Sequence, residues 1–311
     1  MKKISILVPC FNEKDNVEQI SNAILEQLDQ LKKYDYELVF IDNCSTDGTK
    51  DILINICKKN KKIKAIFNAK NYGQFNSPYY GICQLKGDCV INICCDFQDP
   101  VDMIPKFIKE WEKGHQIVCG IKTSSDENKF LYWLRTIYYK IVKKFSSVEQ
   151  IEHFTGFGLY DKSFVELMRK LNDPIPFLRG IVAEFGSNIK TIEYKQAKRR
   201  AGKTHNNFYT LYDAAMLSFT SYTKIGMRFA IFSGILFGFV SLTVGILYLI
   251  LKLIKWNEFV AGQAPTIIIL SLFCSMIMMF LGIMGEYILT INQRVMNRPL
   301  VIEEKRINFN K

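Results

Sequence analysis

The first 123 residues alternate between short apolar runs and stretches with apolar residues at helical spacing. Five short runs predict buried strands, at residues 4–8, 38–41, 63–67, 90–95 and 116–121. Helical spacing predicts helices between them, at 16–31, from the turn at 46–49 to about 56, at 73–85 and at 103–111. Strands that alternate with helices in this way predict an α/β fold, in which helices cover both faces of a mostly parallel sheet.

Two much longer apolar runs lie in the C-terminal third of the chain. Residues 229–251 give 23 consecutive uncharged residues, and residues 266–285 give 20. At about 1.5 Å per residue each run spans the ~30 Å hydrocarbon core of a bilayer, so we predict two transmembrane helices, at about 229–251 and 266–288. Basic residues precede the first run and follow the second, and the positive-inside rule then puts both termini in the cytoplasm.

Two further segments are amphipathic and have positive charge in or beside them. One is residues 129–145, where lysines and an arginine surround an apolar face. The other is residues 208–222, which follow a basic segment with five cations in the nine residues 195–203. Such helices suit an anionic membrane surface, although a helix packed on the domain beside a solvated basic face gives the same pattern. Because two predicted spans follow, we favour the membrane interface.

These patterns divide the chain into four parts. Residues 1–205 form a cytoplasmic α/β domain that includes the interfacial helix, residues 206–226 a juxtamembrane amphipathic helix, residues 227–291 the two transmembrane helices, and residues 292–311 a cytoplasmic tail. We therefore expect a multi-pass protein of the inner (cytoplasmic) membrane, with the α/β domain and both termini in the cytoplasm.

Charge and cysteine usage narrow the function classes. The formal net charge of +11 is concentrated beside the predicted membrane segments rather than on a free face, which argues against a nucleic-acid-binding protein. Nine cysteines, an odd number without a CxxC pair, indicate reduced cytosolic thiols rather than a disulfide scaffold. The first apolar run is too short for a signal peptide.

Polar side chains follow three of the predicted strands. They lie in the segments PCFNE (residues 9–13), DNCSTDGT (42–49) and DFQDP (96–100). Because the carboxyl ends of parallel strands meet at one edge of a sheet, we expect the three segments to lie together. Asp96 and Gln98 carry oxygens that suit Mg²⁺ or Mn²⁺ on a diphosphate, although an ordinary Asp-Pro turn is an alternative. Neither a Gly-rich dinucleotide fingerprint nor a P-loop occurs.

These three segments resemble the signatures of family 2 glycosyltransferases with the GT-A (Rossmann-like) fold. GFGLYDK (156–162), PFLRGIVAEFG (176–186) and KRRAGKTH (198–205), followed by two apolar helices, are similar to the polyprenyl-phosphate glycosyltransferases, the group of dolichol-phosphate mannose synthase and bactoprenol glucosyltransferase. The resemblance covers nearly the whole chain. It implies transfer of a hexose from a nucleotide-diphosphate sugar, UDP favoured over GDP, to polyprenyl phosphate in the membrane. It also implies inversion, Mg²⁺ or Mn²⁺ as cofactor and a role in cell-envelope glycan modification, and it leaves a homo-oligomer open.

The resemblance also implies roles for single residues. The nucleotide-sugar-binding residues would be Pro9, Asn12, Glu13, Asp42, Asp96, Gln98, Arg200 and Lys203. The metal ligands would be Asp96 and Gln98, and the catalytic residues Asp96, Asp99 and Arg179. In this scheme Asp99 lies near the sugar or orients the metal shell, and Arg179 meets a phosphate of the donor or the acceptor.

Several positions depart from the family pattern. Cys94 replaces the first acid of the usual D-x-D pair, Asn43 and Cys44 replace an aspartate and a glycine, and Gly156 lies where many relatives have a carboxylate nearby. A neutral thiol is a poor ligand for a hard cation. Coordination would therefore rest on Asp96 and Gln98 together with the diphosphate and water. Two alternatives stay open. One is a non-catalytic, membrane-anchored nucleotide-sugar-binding protein; the other is a relative of the processive polysaccharide synthases, although their Q-x-x-R-W motif is absent.

Overall fold

The computed structural model of the protein describes residues 1–123, 148, 151–197, 200, 208–222, 225–254, 263–296 and 298–309. Within them, eight strands form one sheet in the order β7-β5-β6-β4-β1-β2-β3-β8. The strands are β1 Lys3–Cys10, β2 Asp35–Asp42, β3 Ile63–Asn68, β4 Cys89–Asn92, β5 Ile117–Lys122, β6 Phe154–Asp161, β7 Ile189–Tyr194 and β8 Glu303–Ile307. The described helices are α1 Val17–Asp29, α2 Thr49–Lys59, α3 Gly73–Gln84, α4 Met103–Glu112, α5 Lys162–Leu171, α6 Leu178–Phe185, α7 Phe208–Tyr222, α8 Ile225–Ile254 and α9 Gln263–Met296.

The centre of the sheet is parallel, as the sequence predicts. β1 pairs in parallel with β2 and β4, and β2 pairs in parallel with β3. Helices cover both faces: α1, α2 and α4 pack on one face, and α3, α5 and α6 on the other. Burial on both faces explains why these strands read as continuous apolar runs. Because β4, β1 and β2 are neighbouring and parallel, their carboxyl ends lie side by side at one edge of the sheet.

The outer strands complete the sheet with mixed directions that the sequence pattern did not predict. β6 is antiparallel to both β4 and β5, β7 is parallel to β5, and β8 is antiparallel to β3. β6 contains Gly158, where a Cβ would lie 2.4 Å from the Val118 carbonyl oxygen, so close strand packing needs glycine there. β7 and β8 are edge strands with mostly exposed or half-exposed residues, and such strands lack a long apolar run.

Two predicted strand ends are wrong. β1 does not stop before Pro9 but continues to Cys10, with Pro9 opposite Ile41 of β2. β4 ends at Asn92 rather than at residue 95. The reason is that the Cys94 N–H donates to the Asp99 carboxylate, at 3.1 Å, instead of to a neighbouring strand. The last apolar residues of the run therefore belong to a loop.

Two long helices contain the predicted membrane spans. Residues 229–251 lie in α8, and residues 266–288 lie in α9. Within the described part of the chain, one stretch, Met276–Met296, is long and apolar enough to cross a membrane by length and composition. The two spans stay predictions. The helix predicted at 208–222 is present as α7, whereas the predicted interfacial helix at 129–145 lies outside the described residues.

Part of the predicted tail, residues 292–311, pairs with the sheet of the α/β domain. Its first residues complete α9, and β8 pairs with β3. The Ala69 N–H donates to the Ile302 carbonyl at 2.9 Å, and Lys50 forms an ion pair with Glu304 at 2.6 Å. The physical reason is that β3 would otherwise expose a row of unpaired backbone groups at the edge of the sheet.

Removal of β8 is expected to destabilise the α/β domain. A chain truncated after Leu300 loses the strand pairing with β3 and exposes the β3 edge. We expect the melting temperature of the purified protein to fall by at least about 4 °C, which corresponds to about 1–2 kcal/mol in a domain of this size. The control is Lys50→Ala, which keeps β8 and removes a partly exposed ion pair with Glu304, worth about 0–1 kcal/mol, and a contact with the Phe67 ring. Equal melting temperatures for the truncated and full-length chains would show that β8 adds no stability.

Candidate functional site

The loops that follow β1 and β2 are joined directly. The Asn12 N–H donates to Ser45 Oγ at 2.8 Å, and Asn12 Oδ1 accepts from the Thr46 N–H at 2.8 Å. The Glu13 N–H donates to Thr49 Oγ1 at 2.9 Å. Two of the three predicted polar segments therefore share one edge of the sheet, as the sequence predicts.

Two buried carboxylates lie in these segments. Glu13 is 8% exposed and accepts from Asn16 Nδ2 at 2.5 Å. Asp42 is 1% exposed and accepts from the Ser45 N–H at 3.1 Å and from the Ser45 hydroxyl. Burial raises the pKa of Asp42 above its ordinary value, against the opposing effect of the Ser45 hydrogen bonds. Both carboxylates help to order the loops, and their contact with a nucleoside stays a prediction.

A network of side-chain amides, outside the polar segments that the sequence predicts, extends this edge to the end of β3. Asn43 Nδ2 donates to Asn71 Oδ1 at 2.8 Å, and Asn43 Oδ1 accepts from Asn68 Nδ2 at 3.0 Å and from the Tyr72 N–H at 2.9 Å. An aspartate at position 43 has no N–H to donate to Asn71 Oδ1 and the Gly73 carbonyl, so asparagine fits this network. The available signal was the polar segment NAKNYG (68–73) after an apolar run, the same signal that marks the other three segments.

The loop after β4 holds the predicted metal and catalytic residues; we call residues 93–102 the β4 loop. Asp96 is 6% exposed, and its Oδ1 accepts from the Gln98 N–H at 3.1 Å. Asp99 is 3% exposed; its Oδ2 accepts from the Cys94 N–H at 3.1 Å, and its Oδ1 from the Tyr194 hydroxyl at 2.9 Å. Burial raises the pKa of Asp99. Since both Asp99 oxygens are engaged within the protein, the structure favours the orienting role over contact with the sugar.

The donor set of the β4 loop fits a divalent cation that is shared with a diphosphate. The Asp96 carboxylate and the Gln98 amide supply oxygen ligands, which Mg²⁺ and Mn²⁺ prefer. Desolvation of the sulfur and the charges of Asp99 and Asp96 raise the pKa of Cys94 well above its ordinary value, so it stays a neutral thiol. Among the described residues, no group of three or more His, Cys, Asp and Glu side chains could hold a metal alone. Mg²⁺ is commonly bound by one or two carboxylates plus substrate phosphates and water, and these residues fit that pattern.

The basic segment reaches the β4 loop. The Arg200 guanidinium carbon lies 4.2 Å from the centre of the Phe97 ring, and the Ala197 N–H donates to the Gln98 carbonyl at 3.3 Å. Arg200 is therefore beside the predicted metal ligands, as its proposed role requires. Lys203 lies outside the described residues.

Arg179 is the second residue of α6, and the residue before it contacts β6. Its guanidinium carbon is 6.0 Å from the centre of the Phe177 ring. The preceding residue, Leu178, lies over Gly156, where a Cβ would be 3.4 Å from Leu178 Cδ2. The Gly156 carbonyl in turn accepts from Asn92 Nδ2 at 3.0 Å, at the end of β4. Gly156 has φ +98°, a conformation that favours glycine, and it offers no side chain as a base.

Cys44 occupies a backbone conformation that suits glycine better, so Cys44→Gly is expected to stabilise the protein. Its φ is +66°, in the left-handed region that costs an L-residue about 1–2 kcal/mol. After allowance for the greater unfolded-state entropy of glycine, we expect a gain of about 0.5–1 kcal/mol and a melting temperature higher by about 1–4 °C. Cys44→Ala keeps the strained Cβ and is the control that should show no gain. A lower melting temperature for Cys44→Gly would mean that the weak thiol contact with the Ala69 carbonyl, at 3.9 Å, outweighs the strain.

A comparison with known families shows which family the chain belongs to. The family described as "Glycosyl transferase family 2" matches residues 5–180, which is more than half of the chain. The chain belongs to glycosyl transferase family 2. It is a glycosyltransferase with the GT-A α/β fold, and the predicted family is confirmed. The matched region runs from β1 to the start of α6 and includes the loops after β1, β2, β3 and β4.

The similarity of this family 2 protein to known proteins extends beyond that region. It is 29% identical over 305 residues to the SfII prophage-derived bactoprenol glucosyl transferase of Shigella flexneri, covering 97% of this chain and 98% of that protein. It is 30% identical over 304 residues to the uncharacterized glycosyltransferase YkoT of Bacillus subtilis, covering 95% of this chain and 89% of that protein. The crystal structure of glucosyl-3-phosphoglycerate synthase from Mycobacterium tuberculosis in complex with phosphoglyceric acid matches with a TM-score of 0.50 and 15% identity, over 70% of this chain and 78% of that chain. That structural likeness supports the fold alone.

Proposed function

We propose that this glycosyltransferase transfers a hexose from a nucleotide-diphosphate sugar, with UDP the favoured nucleotide, to polyprenyl phosphate at the cytoplasmic face of the inner membrane. The product would be a polyprenyl-phosphate sugar for cell-envelope glycan modification. The observation that carries the proposal is the extent of the similarity to the bactoprenol glucosyl transferase. It covers 97% of this chain and therefore includes α7, α8 and α9, beyond the residues 5–180 that the family alone explains.

Exposed apolar side chains on the two long helices support attachment to a membrane. On α8, Phe232 is 69% and Phe239 70% exposed; on α9, Leu270 is 61% and Met278 68% exposed. Apolar surface of this kind costs about 25 cal/mol per Å² in water, and large exposed patches mark interaction surfaces. The helices have 30 and 34 residues, about 45 and 51 Å at 1.5 Å per residue, so each is longer than a ~30 Å hydrocarbon core. We expect both to span the bilayer and to hold the catalytic domain at the headgroup level.

The donor would bind across the ends of β1, β2 and β4. Glu13 would accept a hydrogen bond from the nucleoside, and Asp42, whose two oxygens accept from Ser45, would hold the loop that lines the nucleoside site. Asp96 and Gln98 would hold Mg²⁺ or Mn²⁺ on the diphosphate. The cation, when bound, neutralises the charge that develops on the leaving diphosphate. Arg200, beside the β4 loop, would face the same phosphates and keep the donor in place for attack.

The acceptor chemistry is compatible with the absence of a side chain at Gly156. A phosphate monoester has a second pKa of about 6 and is largely a dianion at neutral pH, so the nucleophile needs no strong general base. The harder task is to bring two anions together. Arg179 at the start of α6 would lower this repulsion at the acceptor phosphate. In-line attack on the anomeric carbon then inverts its configuration.

The direct test is transfer of labelled sugar by the purified protein in lipid nanodiscs. We expect UDP-hexose, Mn²⁺ and polyprenyl phosphate together to give a labelled product that partitions into organic solvent. No such product should form without the lipid or after addition of EDTA. Parallel reactions with different UDP- and GDP-sugars identify the donor. Donor binding without turnover would support the non-catalytic binder instead, and a lengthening polymer would support a polysaccharide synthase.

A further inference from the structure

We infer that Tyr194 and Asp99 form a clamp that positions the β4 loop for cation and donor binding, although neither side chain touches the substrate. The inference rests on the proposed function, since it takes the β4 loop as the donor diphosphate site. Tyr194 is the last residue of β7, at the far edge of the sheet, and no sequence motif marks it.

A single carboxylate closes the β4 loop and ties it to β7. Asp99 Oδ2 accepts from the Cys94 N–H at 3.1 Å, which joins two loop residues on either side of Asp96 and Gln98. Asp99 Oδ1 accepts from the Tyr194 hydroxyl at 2.9 Å. The carboxylate is 3% exposed and the tyrosine 6% exposed, so water does not compete for these bonds. The proposed metal ligands therefore lie inside a loop whose closure depends on the clamp.

The tyrosine itself is held rigidly. Its ring packs edge-on against Phe157 at 5.2 Å between centroids, and Phe157 packs against Phe107 at 4.9 Å. Its backbone carbonyl accepts from the N–H of Thr123 at 3.0 Å and from the Thr123 hydroxyl at 3.1 Å. The hydroxyl is thus presented to Asp99 from a fixed point in the core, which is what a positioning residue needs.

The chain beyond Tyr194 folds directly onto the β4 loop. The Ala197 N–H donates to the Gln98 carbonyl, and Arg200 stacks over Phe97, which is 8% exposed and has φ +60°. The clamp therefore fixes the relative position of two parts of the donor site. One is the cation-binding side, and the other is the start of the basic segment.

Tyr194→Phe tests the clamp, since it keeps the ring packing and removes only the hydroxyl. Partners that orient metal ligands typically affect metal affinity or activity by about 10- to 100-fold. We expect the Mn²⁺ concentration for half-maximal transfer to rise about tenfold and kcat to fall about tenfold, with the KM for polyprenyl phosphate unchanged. Asp99→Asn, which keeps one of the two acceptor oxygens, should shift the Mn²⁺ dependence in the same direction.

The matched control is Tyr79→Phe. Tyr79 is 1% exposed, and its hydroxyl donates to the Met168 carbonyl at 2.9 Å, on the sheet face covered by α3 and α5. This variant loses a buried hydrogen bond of the same length, to a neutral carbonyl rather than a carboxylate, and should lower the melting temperature without a change in Mn²⁺ dependence. If Tyr194→Phe shows only this loss of stability, the bond is merely structural and the clamp is refuted.

A binding measurement separates failure of the clamp from failure of the proposed function. Calorimetry with UDP and Mn²⁺ needs no acceptor, and we expect Tyr194→Phe to bind about tenfold more weakly than wild type and Tyr79→Phe to bind equally. A wild-type protein that binds UDP–Mn²⁺ but transfers nothing to lipid would refute the proposed acceptor and leave the clamp testable by this binding difference. Equal binding by wild type and Tyr194→Phe would overturn the clamp. A wild-type protein that binds neither UDP–Mn²⁺ nor GDP–Mn²⁺ would overturn both.

Discussion

Asp96→Asn is expected to reduce glycosyl transfer by at least about 10³-fold and to leave the fold intact. Asp96 is the one carboxylate that the proposed cation site takes from the β4 loop, because Asp99 is engaged with Cys94 and Tyr194 and the Cys94 thiol is neutral. Removal of a single group that stabilises developing charge typically costs about 10²–10³-fold, and loss of the cation costs more. Asparagine keeps an oxygen that can accept from the Gln98 N–H, so the loop conformation should persist.

The measurements for this variant are transfer of labelled hexose in nanodiscs and the melting temperature. Asp102→Asn is the matched control: it is the same chemical change six residues further along, on a side chain that is 64% exposed and paired with Lys106. We expect it to be near wild type in both measurements, since exposed ion pairs contribute about 0–1 kcal/mol. More than a tenth of wild-type transfer by Asp96→Asn, with normal stability, would refute the role of Asp96 as the essential metal ligand.

Gly180→Ala is expected to displace the start of α6 and with it Arg179. A Cβ at Gly180 would lie 2.2 Å from Cε2 and Cζ of Tyr222, the 5%-exposed last residue of α7, so one helix must move. Overpacking of this kind costs about 1–3 kcal/mol. A shift of about 1 Å at a group that positions substrate can cost about 10²-fold in rate. We therefore expect about 10- to 100-fold less transfer, together with a lower melting temperature.

The surroundings of Gly180 explain why the effect should reach the site. Phe177 lies 6.0 Å from Tyr222 and 5.8 Å from Phe75 on α3, between ring centroids. Arg294 of α9 pairs with Asp173, in the segment that leads into α6, at 3.3 Å. The segment that leads into α6, which carries Arg179, thus contacts both α7 and α9. A change in this packing alters the position of the arginine relative to the loops at the sheet edge.

A second-site variant identifies the cause. Tyr222→Ala removes the ring that the new methyl group meets, so Gly180→Ala with Tyr222→Ala should transfer more than the product of the two single effects allows. The control is Gly234→Ala in α8, where a Cβ meets nothing within 4 Å and where little change is expected. Additive losses in the double variant would show that the clash with Tyr222 is not what impairs Gly180→Ala.

Several parts of the candidate site were predictable from local patterns. Asp42 and Asp96 each stand at or just after the end of an apolar run, and polar residues at the carboxyl ends of parallel strands mark the ligand edge of an open sheet. The same rule should have pointed to Asn68 and Asn71 after β3. It could not assign the role of Asp99, because that role depends on a hydrogen bond to Tyr194, 95 residues away.

The amino-acid sequence by itself determined the parallel core, the edge that carries the site and the family. Strands buried on both faces must be continuously apolar, and the polar segments that follow them can lie only at the strand ends. The tertiary structure alone decided the antiparallel pairing of β6, the return of the tail as β8 and the closure of the β4 loop by Asp99. β8 is a mostly exposed edge strand, and the pairing of β6 and the closure of the β4 loop rest on contacts between residues far apart in the chain, so no local periodicity records them.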